Sequence, residues 1–244
     1  MNNNNIERES KNRKILYKLM HDEYQNSYSA SKRWQIVQKI ADEGSEDMLV
    51  DLLIQKCIID KQLPSNLDGI IFEILRNTKK KNIISKLDNY FQDGLIQLSS
   101  SLSINYQPLQ SLLMIHSFQE ADKWTQSCLC QLVGLNGSSK RNWLYFTDVS
   151  MLPAEDLYVI DMLWRLYSRG KFGFSIQREI WLSNDYDWEK LWEQIGWKDK
   201  GLPRRYPNDF VWSIEAPEGH LPLFNQLRGV QVLSALFTHS MWNF

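Results

Sequence analysis

Glu155, Asp156 and Asp161 are the first side chains whose type and spacing could do chemistry, because neighbouring carboxylates on one helix can divide general-acid and general-base work. They follow Pro153 and Ala154 at the opening of a predicted helix. Acids in that place satisfy free N–H groups and face the positive end of the peptide dipole, and this is the role expected of them. His220 lies in the turn Gly219-His220-Leu221-Pro222, where an imidazole bonded to backbone is expected before a metal ligand. Cys128 and Cys130 stand two apart on a predicted helix and point roughly 200° away from each other, so they cannot share a metal without unwinding it. With Cys57 they are also too few for a disulfide framework, and packing is their expected role. Lys79, Lys80 and Lys81 read as a solvated turn. Gly170 and Gly173 flank no nucleotide pattern, and the chain holds no Gly-x-Ser-x-Gly elbow, no phosphate-binding Gly-x-x-x-x-Gly-Lys loop and no His-Glu-x-x-His. The expectation is a protein without catalytic activity.

What remains is aromatic density with a few cations. Of the 30 Phe, Trp and Tyr residues, 23 lie after Ile104, and nine of the ten tryptophans lie after Glu120. A flat apolar disc edged by carboxylates, such as a porphyrin, wants greasy walls on both faces and Arg or Lys at one rim. An aromatic-rich core with no ligand would show the same composition, so composition leaves both open.

The elements that must position these rings are helical. Before residue 97, apolar residues recur at helical spacing in three runs: Trp34, Val37, Ile40; Met48, Leu49, Leu52, Leu53; and Ile70, Ile71, Ile74, Leu75. Ser31, Ser45 and Ser65 stand where N-caps are expected. A polar, serine-rich stretch over 98–104 reads as a linker, which divides the chain into a repeat-like helical module over 1–97 and a second domain over 105–244. There Pro108 opens one helix, a second runs from Glu120 to Leu132, a third from Pro153 ends at Gly170, and a fourth runs from Trp188 to Ile195. Trp197 to Glu218, with three prolines and no period, reads as a long loop too apolar for a disordered tail. The fold class expected is all-α.

The formal net charge of -1 gives no basic footprint for nucleic acid. No apolar run approaches the roughly 20 residues of a membrane span, which leaves peripheral association open. The start of the chain has neither a signal-peptide core nor the acid-poor character of a transit peptide, and Asn, Ile and Lys are abundant, as in AT-rich plastid genomes. The protein is expected to be plastid-encoded and to work in the chloroplast stroma, with a cyanobacterial cytoplasm as the alternative.

The blocks Trp143 to Val149 (WLYFTDV), Pro153 to Leu157 (PAEDL), Gly170 to Gln177 (GKFGFSIQ), Ile195 to Trp197 (IGW) and Gly219 to Gly229 (GHLPLFNQLRG) resemble the genomes uncoupled four family, in order and spacing, over roughly Ile104 to Trp242. The layout is that of its short algal and cyanobacterial members. This resemblance implies a protein that binds protoporphyrin IX and magnesium protoporphyrin IX and stimulates magnesium chelatase through its large porphyrin-binding subunit. It implies an all-helical core holding the tetrapyrrole beneath a mobile loop, here Trp197 to Glu218. Positions matching the family pocket are Phe146 and Val149 as an apolar floor, Tyr206, Phe210 and Trp212 on the long loop, and Arg228 as partner of a propionate. Arg204 and Arg205 stand where they could reach the carboxylates as well. Gln126 and Gln231 replace Arg of some relatives, and Tyr206 replaces Trp of many. A bilin-binding sensor and a ligand-free structural adaptor are the alternative functions.

Overall fold

The computed structural model of the chain describes residues 3–23, 28–99, 102–135, 141–223 and 230–243. They form two compact units, Met1–Gln97 and Leu98–Phe244. Among the described residues no helix is long and apolar enough to cross a membrane.

The first unit comprises α1 (Asn3–Glu23), α2 (Ala30–Asp42), α3 (Glu46–Leu53) with a π-helical continuation (Ile54–Ile59), α4 (Asn66–Arg76) and α5 (Lys81–Phe91). Its core is built from stripes at helical spacing: Leu16 and Leu19 of α1, Val37 and Ile40 of α2, Ile70, Ile71, Ile74 and Leu75 of α4, Ile83 and Leu87 of α5. Two of the three expected N-caps hold their places and one moves. Ser29, not Ser31, caps α2 by accepting the Lys32 N–H at 3.3 Å. Ser65 heads α4 in a reciprocal capping box, donating its N–H and hydroxyl to Asp68 at 2.7 and 2.8 Å. Gly44, at φ +84°, ends α2 in a left-handed turn that a side chain would strain. Just beyond it Ser45 accepts from Asn12 at 3.1 Å, tying α1 to the α2–α3 corner.

The second unit comprises α6 (Gln107–Met114), α7 (Phe118–Leu132), the single turn α8 (Phe146–Val149), α9 (Ala154–Leu166), α10 (Phe174–Ser183), α11 (Trp188–Gln194), α12 (Val230–Phe237) and a closing 3₁₀ turn (Ser240–Asn243). The fold is all-α apart from a two-residue antiparallel hairpin, β1 (Lys198–Asp199) on β2 (Leu202–Pro203), inside the stretch expected to be loop. Ser103, in the stretch expected to be a linker, is part of this unit: with Tyr106 it donates to the buried Asp156 carboxylate, at 2.9 and 2.7 Å. Asp156 is thus a tertiary tie as well as a first-turn acid.

Much of the aromatic density is core. Phe118 meets Phe172 edge-on at 5.3 Å and stacks on Trp164 at 6.0 Å, while the Trp164 indole donates to Thr125 at 2.9 Å. A second cluster gathers Trp188 and Phe237 around Trp181, at 4.8 and 5.4 Å. Cys128 and Cys130 are both buried, because both sides of α7 are covered. Helix α10 was not legible from its own residues: its N-terminal N–H at Ser175 donates to Asp161 of α9 at 2.8 Å, so its cap is borrowed across the fold. Gly173 makes that approach feasible, since a Cβ there would lie 2.8 Å from the Asp161 carboxylate.

Candidate functional site

The segment from Trp197 to Leu223 is staked to the helices at both ends and in the middle. Trp197 is buried and donates its indole N–H to the His220 carbonyl at 2.8 Å. Gln177 of α10 donates to the Gly219 and Pro222 carbonyls at 3.0 and 2.8 Å, and Lys171 donates to the Ile214 carbonyl at 2.6 Å. His220 is the central pin. The Val211 N–H donates to its Nε2 at 3.1 Å, so that nitrogen is bare, and the proton therefore sits on Nδ1 and is donated to the Ile195 carbonyl at 2.6 Å. Burial, opposed by the Ile195 bond, holds this imidazole below its usual pKa, so the neutral form persists at physiological pH. The expected backbone-bonded histidine is what the structure contains.

Within that frame the tip of the segment folds on itself. Asp209 accepts from the Arg205 N–H at 2.8 Å, Arg204 donates to the Asp209 carbonyl at 2.6 Å, and the Trp212 indole donates to the Pro207 carbonyl at 2.9 Å. Tyr206 stands edge-on to Trp212 at 5.9 Å, and the buried Phe210 lies between Trp212 and His220, at 6.2 and 5.5 Å. These turns enclose an open crevice of about 1020 Å³ lined by Leu202, Arg204, Arg205, Tyr206, Phe210 and Val211 among others. Its lining is mixed: Leu202, Pro203, Tyr206, Phe210 and Val211 are apolar or aromatic, while Asp199, Asn208 and Asp209 stand with the two guanidinium groups of Arg204 and Arg205.

The crevice reaches towards α7 electrostatically. The Tyr206 hydroxyl is pushed above its ordinary pKa by burial and by the charges of Asp122 and Glu120. Asp122 is buried and accepts the Leu223 N–H at 2.6 Å, so it fixes the chain where the long segment ends. Burial pushes its carboxyl up to about 7, with the Leu223 bond and the Lys123 charge pulling the other way.

The structure brings Arg204, Arg205, Tyr206 and Phe210 to one crevice, with Trp212 packed behind. Phe146 and Val149 are on α8, which packs against α12, and neither lines this crevice. Phe146 is 53% exposed, whereas Val149 is fully buried and supports the turn from inside. That turn is pinned by Arg141, which donates to both Asp148 oxygens at 2.6 and 3.1 Å while Asp148 accepts the Tyr145 N–H. Arg228 lies outside the described residues. Gln126, in place of an Arg of some relatives, donates to the Asn142 carbonyl at 3.2 Å and so bridges α7 to the strand of chain before α8. Sequence reasoning missed Leu202, Val211 and Asp122. The signal for Asp122 was an acid on the same helical face as Ala121, Thr125 and Cys128.

The GUN4-like family pattern matches residues 99–240, more than half of the chain. The chain belongs to that family. It is 45% identical to the ycf53 protein of Pyropia yezoensis over 218 residues, which span 88% of this chain and 92% of the relative. It is 36% identical to the chloroplastic tetrapyrrole-binding protein of Arabidopsis thaliana over 143 residues, 55% of this chain and 54% of that one. The solved structure of GUN4 from Chlamydomonas reinhardtii superposes with a TM-score of 0.55 at 39% identity, covering 61% of this chain and 95% of its own. The family match falls on the second unit and leaves the first outside it.

Proposed function

We propose that the second unit is a non-enzymatic tetrapyrrole-binding domain, with protoporphyrin IX and magnesium protoporphyrin IX as its ligands. The observation that carries this reading is the crevice itself: an open cleft of about 1020 Å³, at the top of the roughly 300–1,000 Å³ range of ligand sites, with Tyr206 and Phe210 as well as Arg204 and Arg205 in its lining. A relative named for tetrapyrrole binding supports it. Tyr206 and Phe210, with Trp212 packed behind them, would cover one face of the macrocycle. Arg205, whose side chain has no hydrogen bond among the described residues, and Arg228 would pair with the propionates, while Arg204 is held by the Asp209 carbonyl. Burying on the order of 400 Å² of the disc at about 25 cal/mol/Å² contributes about 10 kcal/mol gross. With one or two propionate pairs, and association costs from about 4 kcal/mol upward, that supports micromolar binding. Recognition by faces and carboxylates is indifferent to a metal at the ring centre, so porphyrin and magnesium porphyrin would both fit.

In this reading the protein delivers the porphyrin to magnesium chelatase, or receives the magnesium product, through contact with the large porphyrin-binding subunit. The ycf53 relatives in red algae and the chloroplastic relative in Arabidopsis support a place in the plastid, where the stroma is proposed. The test is a titration of protoporphyrin IX into the full chain, followed by quenching of tryptophan. Saturable quenching at micromolar ligand is expected, weakened roughly 5- to 150-fold by Arg205→Glu or Arg228→Glu, corresponding to about 1–3 kcal/mol per lost pair. Absence of saturable quenching overturns the reading, and displacement of protoporphyrin by biliverdin at much lower concentration would replace it with a bilin sensor.

A further inference from the structure

The β1–β2 hairpin brings a carboxylate into the crevice, and its register fixes which one. Lys200 and Gly201 both take left-handed φ, +50° and +79°, in the two-residue turn whose twist matches that of its strands, and the turn sets Asp199 opposite Leu202. The Arg204 N–H continues the pairing by donating to the Trp197 carbonyl at 2.9 Å, so the hairpin grows out of the buried Trp197 anchor. Successive strand residues face opposite ways. Lys198 turns to α11, where it pairs with Glu189 and lies 4.5 Å from the centre of the Trp192 ring. Asp199 is thereby turned to the crevice, which it lines together with its cross-strand neighbour Leu202.

Asp209, the second acid of the lining, is engaged by the tip itself: its carboxylate accepts the Arg205 N–H and its carbonyl the Arg204 guanidinium. Asp199 has no such task. It is exposed, and among the described residues its carboxylate makes no hydrogen bond or ion pair. The open cleft of about 1020 Å³ gives it room to meet a ligand. A disc with one face on Tyr206 and Phe210 presents its other face to the rest of the lining, where Asp199 stands. A bare carboxylate is a poor neighbour for an apolar ring and for its propionates, and a good one for a hard cation, since magnesium takes oxygen ligands, carboxylates among them.

We propose that Asp199 gives an axial oxygen ligand to a magnesium porphyrin in the crevice and makes the site prefer the metallated ring to the free one. The proposal rests on the tetrapyrrole reading above and deepens it: faces and propionates hold either ring, and Asp199 tells them apart. A carboxylate oxygen lends its electron pair to the magnesium and the axial water of the free ligand returns to solvent, with no change of oxidation state.

The full chain and its Asp199→Ala variant are titrated with protoporphyrin IX and with magnesium protoporphyrin IX, each followed by quenching of tryptophan. The ratio of the two dissociation constants is the readout, because a variant that merely loosens the hairpin weakens both ligands alike. The wild type is expected to favour the magnesium porphyrin by roughly tenfold or more, the ratio that about 1.4 kcal/mol produces, and Asp199→Ala to bring the ratio down to about one. The Soret band of the bound magnesium porphyrin, which follows the axial ligand, is expected to differ between the two proteins. Asp199→Val, whose side chain suits a strand, carries the same expectations and stands in if the alanine variant does not fold. A wild type that binds both porphyrins without preference overturns the proposal and leaves the tetrapyrrole reading standing, as does a preference that survives the loss of the Asp199 carboxylate. If neither porphyrin binds saturably, that reading falls and the proposal falls with it.

Discussion

Replacing Asp122 with Asn changes one charge and little else, and the structure sets both the sign and the size of the effect. The carboxylate is buried on α7 and accepts the Leu223 N–H at 2.6 Å, a bond that the amide oxygen of Asn can also accept. Burial pushes the carboxyl from 3.8 to about 7 in the folded chain. In the unfolded chain it titrates near its ordinary value, so between pH 4 and 7 the folded state binds more protons than the unfolded one. Stability from this group is therefore greatest in acid and is lost as pH rises through about 7. At 1.36 kcal/mol per pH unit the full swing is about 4 kcal/mol, an upper bound because water drawn towards an ionised carboxylate lessens its penalty. Asp122→Asn should thus exceed the wild type in stability by up to about 4 kcal/mol at pH 8, with the gap shrinking to within about 1 kcal/mol at pH 4. Urea unfolding followed by tryptophan emission measures this in the right unit, since nine of the ten tryptophans lie after Glu120. A wild type as stable as the variant at pH 8, or a gap that does not change with pH, would show that Asp122 is held charged at the Leu223 N–H and would refute the reasoning.

His220 should behave in the opposite sense. Its imidazole is held below the ordinary 6.5, so as pH falls through 6.5 the unfolded chain takes up the proton first and stability drops, and His220→Leu should abolish that slope while costing about 2–4 kcal/mol for the unpaired Ile195 carbonyl and Val211 N–H, as read by urea unfolding. Gly173→Ala should destabilise the second unit by more than about 1 kcal/mol, because it places a Cβ 2.8 Å from the Asp161 carboxylate at φ +138°; a melting temperature equal to wild type would contradict this. Cys57 and Cys128, with thiols pushed up to about 12 mainly by burial, should carry roughly one thiolate in ten thousand at pH 8, so a thiol-disulfide reagent should label the native chain far more slowly than the urea-unfolded one.

Periodicity alone was enough to read the helices at α2, α4, α6, α7, α9 and α11, because each buries one face and its apolar residues must then recur every three or four positions. The shift in aromatic content near residue 104 was legible for a similar reason: cores of different chemistry leave different compositions on the chain. The short motifs around Trp143, Gly170 and Gly219 led to the family. Tertiary structure decided what these local signals do not encode. Helix α10 has no strong cap of its own and borrows Asp161 from α9, so nothing within 174–183 announces where it begins. Nor does the type of a ring reveal its depth: Trp164 and Phe172 fill the interior, Tyr206 remains 41% exposed at the crevice, and Val149, expected to face a ligand, is turned fully inward. Asp156 and Asp161 looked alike as helix acids, yet each is bound to a different neighbour far along the chain. The physical reason is one of range. Helical propensity and amphipathic spacing act between residues a few positions apart, whereas burial and shifted pKa values arise only when distant segments exclude water from one another.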